Sequence, residues 1–222
     1  MGTPRGISAG CALILFDIVS GLSAKPPTLQ VEVYNLAEKV PILEVRQTLE
    51  RILASSSIQL RWTLKDPDSP EGQLIVQVGS PRSPEQAILA ACAAKPSISL
   101  RIAAHAPPDN DSRELGFSLP FAPAGVNAVI YFERVLATSV QTGVPLPILL
   151  AHAIAHEIGH VLLRTENHTA RDLMAETWRQ AEFGMMRHRG LPFNPSQSAR
   201  IRDDLAGTHC ATDSERRRRA QR

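Results

Sequence analysis

The segment HAIAHEIGHVLL, residues 152–163, combines three histidines and one glutamate in an otherwise apolar run. On a helix, His156 and His160 project side by side and can place two ring nitrogens on one metal ion. Glu157 lies about 100 degrees around the helix from His156, where it can hold a water molecule near that ion. In this H-E-x-x-H pattern, zinc acidifies water and polarises a carbonyl while the glutamate accepts a proton. The spacing therefore predicts a zinc site with Glu157 as general base.

His152 belongs to the same histidine stripe but not to the predicted site. A helix rises about 1.5 Å per residue, so His152 lies about 12 Å along the axis from His160 and cannot share its ion. We interpret His152 as a structural or supporting residue. Apolar residues recur every four positions on roughly the opposite side of the helix, which predicts that one face packs while the other presents the imidazoles; these residues are Leu150, Ile154, Ile158 and Leu162.

A catalytic zinc site needs a third protein ligand and one open position. The candidates that follow the motif are Glu166, His168, Asp172 and Glu176. His168 is preferred, because a short turn after the helix can carry the chain back towards the ion. Asn167 tolerates the left-handed conformation that such a reversal uses. Glu176 is the main alternative.

The elements that position these residues follow from hydrophobic periodicity and turn signals. Strands are predicted at 28–35, 58–64, 73–78, 97–103 and 127–132. Helices are predicted at 41–55, at 83–94, through residue 141, from Pro145 or Pro147 to about Arg164, and at 196–205. Residues 105–120 are expected to form a loop. This order predicts an α+β fold, with helices packed on one face of a mixed sheet and a small C-terminal helical part.

Length and charge limit the possible classes of protein. A chain of 222 residues is long enough for one domain with a substantial core. The formal net charge of +2 does not indicate a nucleic-acid partner. Much of the positive charge falls in the C-terminal residues 209–222, which we expect to be a disordered basic tail. The predicted domain occupies residues 25–208.

The first 24 residues have the pattern of a signal peptide. Arg5 precedes an apolar centre, and Leu22, Ser23 and Ala24 form a small-residue cleavage site. This predicts a secreted or periplasmic protein without stable membrane insertion after signal removal. Asp17 interrupts the apolar centre, so an internal N-terminal helix is the alternative.

Cysteine usage agrees with export. Removal of Cys11 would leave Cys92 and Cys210, which could form one disulfide or remain two buried thiols.

The stretch HEIGHVLLRTENHTARDLM resembles the zinc-binding segment of metzincin-type metalloproteases, in which H-E-x-x-H is followed by a glycine, a third histidine and a methionine turn beneath the metal. The resemblance implies a zincin-like fold and places the turn methionine at Met174; the implied zinc ligands are His156, His160 and His168. Leu163 stands where that pattern has glycine, and His168 comes two residues later than the pattern sets, so the turn after the helix must differ. The last third of the chain is also similar to small bacterial secreted proteins with H-E-I-G-H, seven residues, then histidine.

The residues and the resemblance together predict a zinc-dependent metallopeptidase that hydrolyses peptide bonds of a peptide or protein substrate. A peptide could lie extended along an edge strand of the sheet above the motif helix. No tyrosine follows the motif, so Arg171 or His188 are the candidates for stabilising the oxyanion. Two alternatives stay open: a gluzincin-like peptidase with Glu176 as third ligand, and a non-catalytic zinc-binding structural or interaction protein.

Overall fold

The computed structural model describes residues 25–67, 97–108, 113–121 and 127–206. Within these ranges the chain forms five strands and five helices. The strands are β1 Thr28–Asn35, β2 Gln59–Lys65, β3 Ser97–Ala103, β4 Gly116–Ser118 and β5 Ala128–Tyr131. The helices are α1 Ile42–Ala54, α2 Phe132–Thr142, α3 Leu146–Leu163, α4 Gln180–His188 and α5 Pro195–Leu205.

The five strands form one mixed sheet in the order β2-β1-β3-β5-β4. The pairs β1–β2, β1–β3 and β3–β5 are parallel, whereas β4 runs antiparallel to β5 at the edge. Alternate residues of β1 and β3 are buried in the main hydrophobic core, as period-two patterning requires. The predicted α+β class with a mixed sheet is confirmed.

The edge strand β4 depends on a glycine. A Cβ at Gly116 would lie 2.3 Å from the carbonyl oxygen of Val129 and 2.9 Å from Cδ1 of Ile130. A side chain at this position would therefore push β4 away from β5. The loop predicted from the sequence over 105–120 is wrong for residues 116–118. A three-residue strand between prolines is too short to show period-two alternation.

Helix α3 forms the centre of the domain. Fourteen of its 18 residues are buried, and it contacts the other four helices of the described residues as well as β4 and β5. Its mean hydropathy of 1.5 and its length would allow it to cross a membrane, but 78% of it is buried inside the described fold, as in the core helix of a globular domain. The prediction that one face packs and the other presents imidazoles is confirmed in part: Leu150, Ile154, Ile158 and Leu162 are buried, and His156 and His160 line a cavity, but His152 is enclosed by the protein.

The remaining element predictions have mixed outcomes. Strands 28–35 and 97–103 are confirmed at their predicted bounds, and the helix predicted at 196–205 begins one residue earlier at Pro195. Asn194 is its N-cap, and its side chain accepts a hydrogen bond from the backbone N–H of Gln197. Helix α4 has no counterpart among the individually predicted helices. The predictions for residues 1–24, 73–78, 83–94 and 209–222, and for all three cysteines, lie outside the described residues.

Candidate metal centre

Three imidazoles converge beside the last turns of α3. Nitrogen atoms of His156, His160 and His168 all lie within 4.8 Å of one another. The Nε2 atom of His160 is 3.0 Å from Nε2 of His156 and 3.1 Å from Nε2 of His168. The ring of His160 is nearly perpendicular to the other two rings, so its edge points between them. The fold thus brings together the three histidines that the sequence analysis named.

Backbone carbonyls determine which nitrogens are protonated. Nδ1 of His156 is 2.8 Å from the carbonyl oxygen of Leu173, and Nδ1 of His160 is 2.8 Å from that of Thr165. A carbonyl oxygen can only accept, so both Nδ1 atoms donate a proton and both Nε2 atoms present lone pairs in the neutral rings. Burial lowers the pKa of His156 to about 4 and also lowers that of His160, which favours the neutral rings.

Two lone pairs that face each other at 3.0 Å repel unless a cation lies between them. Three neutral imidazole nitrogens around one point are a donor set that suits zinc. The hydrogen bonds from Nδ1 to backbone carbonyls orient the rings in the way that buried metal-ligating histidines require. The residues of this cluster therefore fit a divalent transition metal.

A sharp reversal after α3 brings His168 to the other two rings. Arg164 ends the helix in the left-handed conformation, with φ of 47°. The N–H of Thr165 then donates to the carbonyl of His160, and its hydroxyl accepts from the N–H of Asn167. The predicted short turn is present, but Arg164, rather than Asn167, adopts the positive φ. The reason is the position of the helix end, which the sequence places only to within a residue or two.

The other candidate ligands lie outside the three-histidine group. Glu166 and Glu176 line a cavity next to the histidines, but neither carboxylate belongs to the group of mutually close ligand atoms. Asp172 makes local hydrogen bonds to the N–H of Met174 and the side chain of Asn194. Of the two candidates for a third ligand, His168 lies in the group with His156 and His160, whereas Glu176 does not.

The turn of residues 169–175 contacts His156 through the carbonyl oxygen of Leu173. Met174 is 1% exposed and packs directly on Gly159 of α3. A Cβ at Gly159 would lie 2.4 Å from Sδ of Met174 and 2.8 Å from Cε1 of Phe193, so this position has no room for a side chain. Trp178 donates from Nε1 to the same Leu173 carbonyl that accepts from His156. This role of Trp178 and the steric need for Gly159 were not predicted from the sequence, although a glycine inside an apolar helix is a signal of close packing.

Glu157 is a buried carboxyl group beside the histidine cluster. It is 8% exposed, and burial raises its pKa to about 7. A hydrogen bond with the Ser118 side chain at the end of β4 opposes this rise, whereas the nearby charge of Glu114 adds to it. A carboxyl group with such a pKa can exchange a proton near neutral pH. Ser118 was not identified from the sequence, because its link to Glu157 spans 39 residues of chain.

The site opens into a cavity of about 700 Å³. The cavity is lined by β4, the second half of α3, residues 175–178 and Phe183 of α4. Its apolar surface includes Phe117, Trp178 and Phe183. Arg171 and His188, the candidates for stabilising an oxyanion, lie outside the lining that the described residues form.

His152 is separated from the cluster, in agreement with its interpretation as a structural residue. It is 1% exposed, its Nδ1 donates to the carbonyl of Ile148 at 2.7 Å, and its Nε2 accepts from the N–H of Leu191 at 3.0 Å. Both ring nitrogens are therefore used within the protein. Burial lowers its pKa to about 4.

No protein-family model and no curated protein matches this sequence. Among solved structures, the chain is similar to archaemetzincin from Methanopyrus kandleri, with 14% sequence identity, a TM-score of 0.47, and coverage of 83% of this chain and 99% of that chain. It is also similar to metalloproteinase-II from Bacteroides fragilis, with 17% identity, a TM-score of 0.43, and coverage of 81% of this chain. The match covers 53% of that second protein, so the chain spans about half of its length. Both similarities are distant.

Proposed function

We propose that this chain is a zinc-dependent metallopeptidase of the zincin type, in which His156, His160 and His168 hold the ion. The observation that supports this most strongly is the pair of Nε2 lone pairs facing each other at 3.0 Å, with both tautomers set by backbone carbonyls. A buried site would not retain this repulsive arrangement without a cation to bind it.

The chemistry follows from the groups around the cluster. A bound zinc ion would supply Lewis acidity for a substrate carbonyl and for water. Glu157 takes a proton from the attacking water and passes it to the departing amine, since it is a carboxyl group buried beside the three histidines. The Ser118 side chain hydrogen-bonds to this carboxyl group, which helps to hold Glu157 beside the histidines.

Strand β4 is the proposed binding edge for the substrate backbone. The N–H of Tyr131 in β5 donates to the carbonyl of Leu115, and the N–H of Leu119 donates to the carbonyl of Asn127, directly before β5. Because hydrogen bonding alternates along an antiparallel pair, the backbone groups of Gly116 and Ser118 point away from β5. An extended peptide can pair with such an edge, directly above the motif helix. The cavity beside it, with Phe117, Trp178 and Phe183, favours an apolar side chain near the cleaved bond.

The test combines metal content with peptide cleavage. Zinc-loaded wild-type protein and the Glu157→Gln variant are incubated with a broad peptide library. The variant should keep its zinc but lose about 10²–10⁴-fold in rate, because general-base catalysis contributes that much. Glu166→Gln is the matched control, since Glu166 also lines the cavity but lies outside the three-histidine group, and this variant should retain both properties.

The outcomes of this test separate the candidate functions. A wild-type protein that binds zinc but cleaves no peptide would be a non-catalytic zinc-binding protein. Equal cleavage by wild type and Glu157→Gln would refute the role of Glu157. A wild type without zinc affinity would refute the proposal as a whole.

We also propose that residues 1–24 direct export, since their pattern is that of a signal peptide. Expression of the full chain in a bacterial host, followed by N-terminal sequencing of the extracytoplasmic protein, tests this. A mature chain that begins at Lys25 is expected, whereas retention of the intact N-terminus in the cytoplasm would contradict export.

A further inference from the structure

A single carboxylate organises the turn beneath the three histidines. Oδ1 of Asp172 accepts a hydrogen bond from the N–H of Met174 at 2.8 Å. The Thr169 hydroxyl lies 2.9 Å from the same oxygen and 2.7 Å from the carbonyl of Arg171, and it can donate to one of them. The turn is closed by a hydrogen bond from the N–H of Thr169 to the carbonyl of Met174. Asp172 therefore determines the shape of residues 169–175.

The second oxygen of this carboxylate connects the turn to helix α5. Oδ2 of Asp172 accepts from Nδ2 of Asn194 at 2.9 Å. The other atom of that amide, Oδ1 of Asn194, caps α5 by accepting from the N–H of Gln197 at 2.9 Å. Because the cap fixes which end of the Asn194 amide is oxygen, the amide nitrogen must face Asp172. Asn194 thus joins the helix terminus and the turn into one unit, which we call the Asp172–Asn194 clamp.

The backbone of Asp172 explains why a side-chain clamp is needed. Its φ is 87°, a strained conformation that non-glycine residues rarely adopt. Asp and Asn tolerate it better than most residues, because their side chains bond to nearby backbone groups. Without the contacts to Met174 and Asn194, the turn would relax towards other conformations.

The clamp reaches two of the three proposed ligands through short connections. Leu173, directly after Asp172, supplies the carbonyl that holds the protonated Nδ1 of His156. Thr169, which Asp172 contacts at the start of the turn, directly follows His168 in the chain. We infer that Asp172 and Asn194 are positioning residues that hold the rings of His156 and His168 in the metal-binding arrangement. This inference rests on the proposed zinc site.

A swap of the two partners provides the test. The variants are Asp172→Asn, Asn194→Asp and the double variant with both substitutions. Asp172→Asn sets one amide against another, and Asn194→Asp sets two carboxylates against each other while keeping a good N-cap. The double variant restores an amide–carboxylate pair in the reverse direction, and the carboxylate at position 194 still caps α5. Asn194→Ser provides a second single substitution, because its hydroxyl caps the helix but is too short to reach Asp172.

Zinc affinity is measured by competition with a chromophoric chelator, and the melting temperature of each zinc-free variant is measured in parallel. Each single variant should bind zinc about 10-fold more weakly, the lower end of the effect of residues that orient metal ligands. The double variant should recover most of this loss. In ¹⁵N spectra of the histidine rings, the His156 Nδ1 proton should become less protected in the single variants and regain protection in the double variant.

A purely structural role would give a different result. Melting temperatures would then fall while the zinc dissociation constant stayed the same in all variants, and this would overturn the inference. Failure of the double variant to recover affinity would overturn it as well. If wild-type protein binds no zinc, the proposed function itself fails. If wild type binds zinc and the single variants bind it equally well, only the clamp is refuted.

Discussion

The two halves of helix α3 both bury histidines, but they use them differently. In the first half, His152 donates to Ile148 and accepts from Leu191, so both ring nitrogens have protein partners. In the second half, His156 and His160 donate from Nδ1 to backbone carbonyls, and their Nε2 atoms face each other. Burial does not distinguish the two cases, because it lowers the pKa of both His152 and His156 to about 4. The direction of the second nitrogen distinguishes a structural histidine from a metal-binding one.

The largest effect that separates the two halves should be on zinc affinity. His156→Ala removes one of three proposed ligands, and a third of the about 10–16 kcal/mol typical of zinc sites is about 4 kcal/mol, or about 1,000-fold in affinity. His152→Ala, the matched control on the same helix, should leave the affinity within a few-fold of wild type. Chelator competition measures both values. Equal losses in the two variants would remove the distinction between the two halves.

The pH dependence of the free energy of unfolding should show the structural role of His152 in the first half of α3. The pKa of His152 is about 4 in the folded protein and about 6.5 in an unfolded chain, so the unfolded chain takes up this proton first as the pH falls. The stabilisation is complete above pH 6.5 and declines towards pH 4, by up to about 3 kcal/mol. Urea unfolding of zinc-free wild type and His152→Gln between these pH values measures the difference. A constant difference across this range would contradict the assignment.

The packing of Met174 and Phe193 against the second half of α3 should be sensitive to one methyl group added at position 159. Gly159→Ala would place a Cβ at 2.4 Å from Sδ of Met174 and 2.8 Å from the ring of Phe193. Overpacking of this kind costs about 1–3 kcal/mol. Ala155→Gly, one turn earlier on α3, is a control that adds no atoms. Urea unfolding at neutral pH gives both values, and a Gly159→Ala variant that gains the full advantage of alanine over glycine in a helix, about 1 kcal/mol, would mean that Met174 does not pack as described.

The smallest expected effect concerns the carbonyl that Trp178 and His156 share. Trp178→Phe keeps an aromatic ring beside His156 but removes the N–H that donates to Leu173 at 3.2 Å. Loss of one neutral hydrogen bond should cost about 1 kcal/mol of stability and change zinc affinity by less than 10-fold. A loss as large as that of His156→Ala would indicate that Trp178, rather than the Nδ1 contact of His156, orients the ring.

The sequence was informative where local spacing determines geometry. The four-residue interval of His156 and His160 places two rings on one side of a helix, and the length of the turn brings His168 to them. It was uninformative where distant segments meet. Ser118 reaches Glu157 from an edge strand, and Asn194 reaches Asp172 from another helix, so no local pattern could reveal either pair.

Helical periodicity predicted which side of α3 carries the histidines but not how deeply they are buried. His152, His156, Glu157 and His160 are all buried, although polar residues on one side of a helix usually mark a solvent-exposed face. Imidazoles can be buried when their nitrogens have hydrogen-bond partners or ligands. The loop and helices after Leu163 lie over the histidine side of α3. Their placement depends on contacts between distant residues, which a pattern in a single sequence does not encode.

Zinc K-edge X-ray absorption of the metal-loaded protein tests the central claim most directly, because it reports the atoms around the ion. Three imidazole nitrogens at about 2.0–2.1 Å and one further light atom are expected. The spectrum of His152→Ala should be unchanged, whereas that of His156→Ala should show one imidazole fewer. A protein that retains no zinc, or a wild-type spectrum without three histidine ligands, would contradict the claim.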